Sequence, residues 1–328
     1  MTNFQNHLKV ADRSDTARGV EASPGNKVRV AYASDDNYAA LTAISAVSLL
    51  KHNPGAEVLL FGCRLKDEAV DLVRSRVLKH GGTFRYYDVS EQIAALEKQG
   101  ASLYVSYAIY CRLFIPDALQ GEQGRVVYLD CDTLVVASLA ELFELDMGGK
   151  PLAMVPDAVH PAYKRVINLP KNRSYYNTGV MLMELEAWRQ ARVTERLLEE
   201  LKNPHGANPL PDQDIIARVL GEEIATLAKR WNFLSQFLLF RCRVQPAIYH
   251  FSGHTLGRPW YTSSKHPLRR KYCEAAFEAE LPQIAEQVKP MIFEYRVQYY
   301  LWRWLPNFLF QPICRLMYRA HLRLTYGV

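Results

Sequence analysis

The chain has 328 residues, 49% of them hydrophobic and 23% charged, which is enough to bury a sizeable core and too apolar for a disordered polymer. Its net charge of +6 is uneven: from Lys289 to Val328 six basic residues face a single glutamate, so residues 1–288 are close to neutral. Six scattered cysteines without a Cys-x-x-Cys pair argue against a zinc knuckle or a disulfide framework. No apolar N-terminal segment and no apolar run of membrane-spanning length is visible, which points to the reducing cytoplasm.

Residues 1–26 are polar, end in Pro24-Gly25-Asn26 and read as a mobile leader. Strand and helix patterns then alternate. A strand at Val28–Tyr32 leads to a helix over Tyr38–His52, stopped by Asn53-Pro54-Gly55. A strand at Glu57–Phe61, a helix at Asp67–His80 ended by Gly81-Gly82, a strand at Thr83–Val89 and a helix at Ser90–Gln99 follow. Tyr104–Phe114 reads as helix and Arg125–Leu129 as a buried strand. Later strands are expected at Leu152–Val155, Gly179–Leu185 and Ala247–Phe251, with a helical pattern at Ile215–Leu220. This rhythm predicts an α/β fold: a mainly parallel sheet with helices on both faces.

The strand Arg125–Leu129 runs directly into Asp130-Cys131-Asp132. In an open α/β sheet ligands bind just beyond the carboxyl ends of the strands. Two carboxylates one residue apart there can share a hard cation that carries a diphosphate on its far side. Taken alone, an Asp-x-Asp also suits a solvated turn. Ala33-Ser34-Asp35-Asp36-Asn37-Tyr38 closes the first strand and opens the first helix. A carboxylate and an amide at that edge can hydrogen-bond the imide and carbonyl groups of uracil, while Asp36 or Asn37 can equally serve as a helix cap. His250 ends an apolar run just before a glycine loop, where it can approach the cation from outside the sheet.

Asp35 to Ala40 and Val127 to Asp132, in this order and at this separation, resemble glycosyltransferase family 8, most nearly its bacterial lipopolysaccharide α-galactosyl- and α-glucosyltransferases. Tyr176-Asn177-Thr178-Gly179-Val180-Met181-Leu182, Asp212-Gln213-Asp214, and His250-Phe251-Ser252-Gly253 leading to Arg258-Pro259-Trp260 extend the likeness over about residues 28–260. The resemblance implies a GT-A-type nucleotide-sugar-binding fold in residues 27–288. It implies a retaining, metal-dependent transfer of galactose or glucose from a UDP-hexose to a glycan or glycolipid hydroxyl, with lipopolysaccharide core as the expected acceptor.

Residue by residue, the resemblance places Ala33, Asp35 and Asn37 at the uridine edge and Asp130, Asp132 and His250 around the metal. Arg112 would touch the donor sugar and order the metal carboxylates; Cys131 falls between those carboxylates in the donor-binding set. Asn177 and Thr178 would line the donor-sugar pocket, Asp157 and Asp212 would contact sugar hydroxyls, with Asp157 on the acceptor, and Gln213 would lie beneath the anomeric carbon. Gln213, Asp212 and Arg112 form the expected catalytic set, and Gly253 and Arg258 would close over the diphosphate. Mixed oxygen and nitrogen ligation favours Mn²⁺, with Mg²⁺ as the second choice. Gln213 is a poor nucleophile, which favours front-face attack over a covalent intermediate. The chain departs from the family at Arg258, where lysine is usual, in a longer His254–Gly257 loop, and at Thr178, where alanine is common.

Residues 289–328 interleave arginines with Tyr299, Trp302, Trp304, Phe308 and Phe310. That pattern suits an anionic membrane surface and so a peripheral place on the inner face of the cytoplasmic membrane; the alternative is a tail packed on the domain. Pro306 and Pro312 are expected to break it into short helical pieces. No nucleic-acid module accompanies the arginines, so no nucleic-acid partner is expected. The competing functions are a glycogenin-like or other surface-glycan glucosyltransferase and a catalytically silent UDP-sugar-binding protein at the membrane surface. A nucleotidyltransferase leaves Asn177, Gln213 and His250 without roles.

Overall fold

The computed structural model describes residues 15–16, 27–98, 107–157, 159–253, 256–288 and 293–326. Its strands are β1 (Asp15–Thr16), β2 (Arg29–Ser34), β3 (Glu57–Gly62), β4 (Thr83–Asp88), β5 (Arg125–Leu129), β6 (Thr133–Val135), β7 (Leu152–Pro156), β8 (Tyr176–Glu184), β9 (Ile224–Thr226), β10 (Phe233–Leu234) and β11 (Ile248–His250). Eight of them form one sheet in the order β1-β4-β3-β2-β5-β8-β7-β9, and β10-β11-β6 form a second.

The run β4-β3-β2-β5 is parallel, as the alternation of strands and helices requires. Neighbouring residues on these strands point into different cores. Val30, Tyr32, Val58, Leu60, Val127 and Leu129 enter one layer, and Ala31, Ala33, Leu59, Phe61, Val126 and Tyr128 enter the other. Both faces are therefore apolar, which is why these strands read as continuous hydrophobic runs. On the first face lies the helix Ala39–His52, with eleven of its fourteen residues buried. It packs against the helices Asp67–Lys79 and Arg269–Glu278 and against β6. Its small polar residues fasten it to β2 and β6: Ser45 Oγ bonds Tyr32 Oη (3.1 Å) and Thr133 Oγ1 (2.8 Å), and Ser48 Oγ accepts the Val135 N–H (3.0 Å).

Several expectations are corrected. β8 spans nine residues, lies antiparallel between β5 and β7, and begins earlier than Gly179. One residue step along β7, from Met154 to Val155, crosses four on β8, from Met181 to Asn177. This bulge re-aims Asn177 and Thr178, and bulges of this kind recur beside active sites. The expected Tyr104–Phe114 helix is a short helix at Ala108–Cys111 followed by a 3₁₀ turn at Arg112–Phe114; residues 104–106 lie outside the described residues. The expected leader lies outside them too, apart from Asp15–Thr16, which pair with the edge strand β4.

The tail forms two helices, Phe293–Trp304 and Asn307–Tyr326, separated by Pro306, while Pro312 sits inside the second. A proline there removes one backbone bond and costs about 3 kcal/mol or more. Anchors on either side of it offset that cost. Phe310 is buried against Leu239 and Leu256, and Leu322 against Tyr163, Val166 and Ala217. The buried face of this helix docks on the domain, while Leu309, Arg315, Leu316, Arg319, Arg323 and Leu324 lie on its exposed face. Among the described residues, no helix is long and apolar enough to cross a membrane. All six cysteines are free thiols.

Candidate functional site

A cleft of about 500 Å³ opens at the carboxyl ends of β2 and β5. It is lined by Ala33, Asp35, Arg112, Asp130, Cys131, Asp132, Asp157, Asn177, Thr178, Asp212, Gln213, His250, Gly253 and Arg258. Of the residues expected in the site, only Asn37 is not among those lining this cleft. Asp35 shapes the turn itself, because its Oδ1 accepts the N–H groups of Asn37 (3.0 Å) and Tyr38 (3.2 Å). Asp36 accepts the Lys66 N–H (3.0 Å), so neither Asp36 nor Asn37 caps the helix, which has no side-chain cap. The Cys131 thiol faces inward: it donates to the Ala33 carbonyl (3.0 Å) and accepts from Thr42 Oγ1 (3.0 Å). Burial pushes its pKa up to about 12, so it serves the scaffold as a neutral thiol.

Asp130, Asp132 and His250 each offer a ligand atom within 4.8 Å of the others. His250 Nε2 lies 3.2 Å from Asp132 Oδ1 and 3.5 Å from Asp130 Oδ2. Its other nitrogen, Nδ1, bonds Asn232 Oδ1 (2.9 Å), which sets the ring's orientation. Gly179 makes room for this group. A Cβ there would lie 2.0 Å from His250 Cε1 and 2.9 Å from Asp130 Oδ2. Two carboxylates and one oriented imidazole around a gap that only glycine leaves open fit a divalent cation. Burial disfavours the charge on Asp132, but His250 and Arg258 outweigh it and hold the carboxyl well below the usual range. Arg258 is ion-paired with Asp132 and also donates to the Phe251 carbonyl. Within the loop before it, residues 254–255 lie outside the described residues.

Arg112, 5% exposed, links the two halves of the site. Its Nη2 lies 3.0 Å from Asp130 Oδ1, its Nη1 lies 3.0 Å from Asp212 Oδ2, and its guanidinium stacks 4.5 Å over the Tyr128 ring. Burial opposes its charge, yet Asp130, Tyr128 and Asp212 more than compensate, so it stays cationic. Asp212 also accepts from Thr178 Oγ1 (2.9 Å). It sits in the first turn of the helix Pro211–Val219 without capping it.

Gln213 is held on both ends of its amide. Its Nε2 donates to Asp157 Oδ2 (2.9 Å), and its Oε1 accepts from Asn177 Nδ2 and the Thr178 N–H, each at 3.3 Å. Asn177 Nδ2 also donates to Asp157 (2.9 Å), and Asn177 Oδ1 accepts from Asn232 (2.8 Å). One polar chain therefore runs from His250 through Asn232 and Asn177 to Asp157 and Gln213. Asp214 is not part of the cleft. Tyr163 and Tyr175 hydroxyls and the Leu210 N–H occupy its carboxylate, and burial raises its pKa to about 6.

Tyr38, Asn232, Gln236, Ser252 and Tyr318 contribute to the site or its support without having been assigned a role from sequence. Asn232 and Tyr318 carry no motif signal, and only the fold brings them near the cleft.

The family model for glycosyl transferase family 8 matches residues 29–263. General stress protein A of Bacillus subtilis is 29% identical over 73% of this chain and 89% of its own length. The lipopolysaccharide 1,2-glucosyltransferase of Escherichia coli is 26% identical over 74% of this chain and 76% of its own. The solved galactosyltransferase LgtC, in complex with donor and acceptor sugar analogs, matches with a TM-score of 0.65 at 23% identity, covering 82% of this chain and 99% of LgtC. The sheet order, the carboxylate pair beyond β5 and this match define a GT-A-type fold. The chain belongs to glycosyltransferase family 8.

Proposed function

We propose that this glycosyltransferase moves a hexose, galactose or glucose, from a UDP-sugar to a hydroxyl of a glycan acceptor with retention of configuration. Lipopolysaccharide core is the favoured acceptor. The observation that carries the reading is the joining of Asp130, Asp132 and His250 to Gln213 and Asp157 through one buried polar chain. Asp130, Asp132 and His250 would hold Mn²⁺, which when bound offsets the charge that develops on the departing diphosphate.

The remaining roles belong to the chain's own residues. Ala33 and Asp35, with Tyr38 beside them, form the nucleoside end, and Arg258 and Gly253 meet the diphosphate. Arg112 fixes Asp130 and Asp212 for the sugar. Asn177 and Thr178 shape its pocket, and Asp157 receives the acceptor. Gln213 presents an amide already committed to Asp157, Asn177 and Thr178, which does not suit a covalent intermediate. In front-face attack the acceptor oxygen bonds C1 as the C1–phosphate oxygen bond breaks. The acceptor proton passes to the departing phosphate oxygen.

Leu309, Leu316, Leu324 and Arg323 on the exposed side of the helix Asn307–Tyr326, with Trp304 and Phe308, would rest on an anionic bilayer and bring the site to a glycolipid. UDP release from a panel of UDP-sugars, with and without Mn²⁺, tests the reading. Metal-dependent hydrolysis of UDP-galactose or UDP-glucose supports it. UDP binding without turnover, even with candidate acceptor glycans, would favour a silent binding protein.

A further inference from the structure

A second, smaller hollow of about 270 Å³ adjoins the cleft. Its walls carry Lys164 and Arg165 from the short helix Tyr163–Val166, Lys171 from the turn that follows, Arg319 from the C-terminal helix, and His160. Among the described residues, none of Lys164, Arg165, Lys171, Arg315 and Arg319 has a carboxylate partner within ion-pair distance. Lys164 instead donates to the backbone carbonyls of Lys171 (3.1 Å) and Arg173, which ties its helix to the turn that follows. Two segments about 150 residues apart in sequence thus bring like charges to one hollow, where their summed field attracts an anion. A hollow lined by one sign of charge focuses its field on such an anion, and arginine suits phosphate oxygens in particular.

The hollow is placed beside one end of the cleft. Val159 and Tyr318 line the cleft while the adjacent His160 and Arg319 line the hollow, and the His160 and Tyr318 rings lie 6.1 Å apart. This is the β7 end, near Asp157. Three strand spacings, β2 to β5 to β8 to β7, separate it from the nucleoside end at Ala33, about 14 Å at the usual spacing. Asp130 and Asp132, which follow β5, are two spacings from β7, about 10 Å, so an anion in the hollow is separate from a diphosphate held at that pair.

We propose that this hollow is a subsite for a phosphate group carried by the glycan acceptor, read by Arg165, Lys171 and Arg319 while the accepting hydroxyl reaches Asp157 and Gln213. It rests on the reading that the acceptor enters at the Asp157 end. His160 gives a local probe, since burial and then Arg319, Arg315 and Arg165 hold its pKa below the ordinary histidine value. A phosphate seated among these cations returns it upward.

The experiment follows the His160 ring resonance by NMR across pH in the full chain, assigned with a His160→Gln variant. The probes are glucose, glucose 6-phosphate, and phosphatidylglycerol–phosphatidylcholine vesicles. Glucose 6-phosphate is expected to raise the His160 titration midpoint by about one pH unit, and glucose to leave it in place. The Arg165→Gln, Lys171→Gln, Arg319→Gln triple variant is expected to lose the response while keeping wild-type UDP-sugar hydrolysis. No response to glucose 6-phosphate, or one that persists in the triple variant, overturns the subsite. A response to vesicles alone overturns the glycan assignment and gives the hollow to a lipid headgroup. Failure of UDP-sugar turnover in the wild type would strike the proposed reaction instead, and would leave the His160 result to be read by itself.

Discussion

Gly179→Ala is the sharpest test of the cation site, because it adds one carbon and removes no ligand. Gly179 is not among the residues with positive φ, so its backbone would tolerate alanine, and the constraint is space. The new Cβ would meet His250 Cε1 at 2.0 Å and Nδ1 at 2.5 Å. Ordinary carbon contacts lie near 3.5–4.0 Å, so the imidazole must retreat by about 1.5 Å. That movement strains or breaks the 2.9 Å bond to Asn232, at a cost of about 1–3 kcal/mol. Metal–ligand distances tolerate only about 0.2 Å. The expected result is a loss of metal affinity of about 100-fold or more, with a stability cost of about 1–3 kcal/mol from overpacking. The assay is UDP-sugar hydrolysis against Mn²⁺ concentration, paired with thermal unfolding to establish that the variant is folded. A folded Gly179→Ala protein with wild-type half-saturation by Mn²⁺ would refute the assignment of His250 as a ligand.

Asp132→Asn keeps the shape of a residue wedged between His250 and Arg258 and removes its charge, so turnover should fall to background while the circular dichroism spectrum is retained. Retained Mn²⁺-dependent activity would sink the metal assignment. Arg258→Ala should move two constants in opposite directions: the Mn²⁺ half-saturation falls because a competing cation leaves Asp132, and the donor KM rises about 10-fold or more, given about 1.5–3 kcal/mol for a charged hydrogen bond. A shared direction for both would contradict it. Burial lowers the His250 pKa, but Asp132 and Asp130 outweigh it and raise the value above that of an ordinary histidine. Metal-free protein therefore has the stabilisation from this pair in full below pH 6.5 and loses it as pH rises through the folded value, while metal binding, which needs the neutral ring, strengthens over the same interval. Thermal melts across pH, with and without Mn²⁺, should show opposite slopes. Trp304→Ser, Phe308→Ser and Leu316→Ser together alter only exposed side chains. They should lower partition onto anionic vesicles about 10-fold or more at ~25 cal/mol per Å² of lost apolar contact, and leave UDP-sugar hydrolysis unchanged. Equal partition of variant and wild type would reject the membrane role.

The sequence by itself determined the parallel half of the fold and the two motifs at its edge. Apolar runs of strand length alternating with helical patterns admit few topologies, and in such a sheet a carboxylate pair directly after a buried strand falls at the ligand edge. Asp130, Asp132 and His250 stood out by their chemistry at strand ends, while Arg112 and Gln213 were singled out only by the family likeness. The family likeness set those motifs in order.

What only the tertiary structure decided lies where distant segments meet. The bulge in β8 and its antiparallel insertion follow from pairing on both sides, which no local pattern encodes. Asn232 has no motif, yet it orients His250 and Asn177 across the site. Gly179 reads as an ordinary strand glycine until the ring of His250, seventy-one positions later, occupies the space its Cβ would fill. The tail shows the same limit. Its composition suited docking and membrane contact alike; the structure shows the docked face, with Phe310 and Leu322 buried, and leaves Leu316 and Leu324 exposed. Periodicity marks an apolar stripe, but which stripe finds a partner depends on surfaces built elsewhere in the chain.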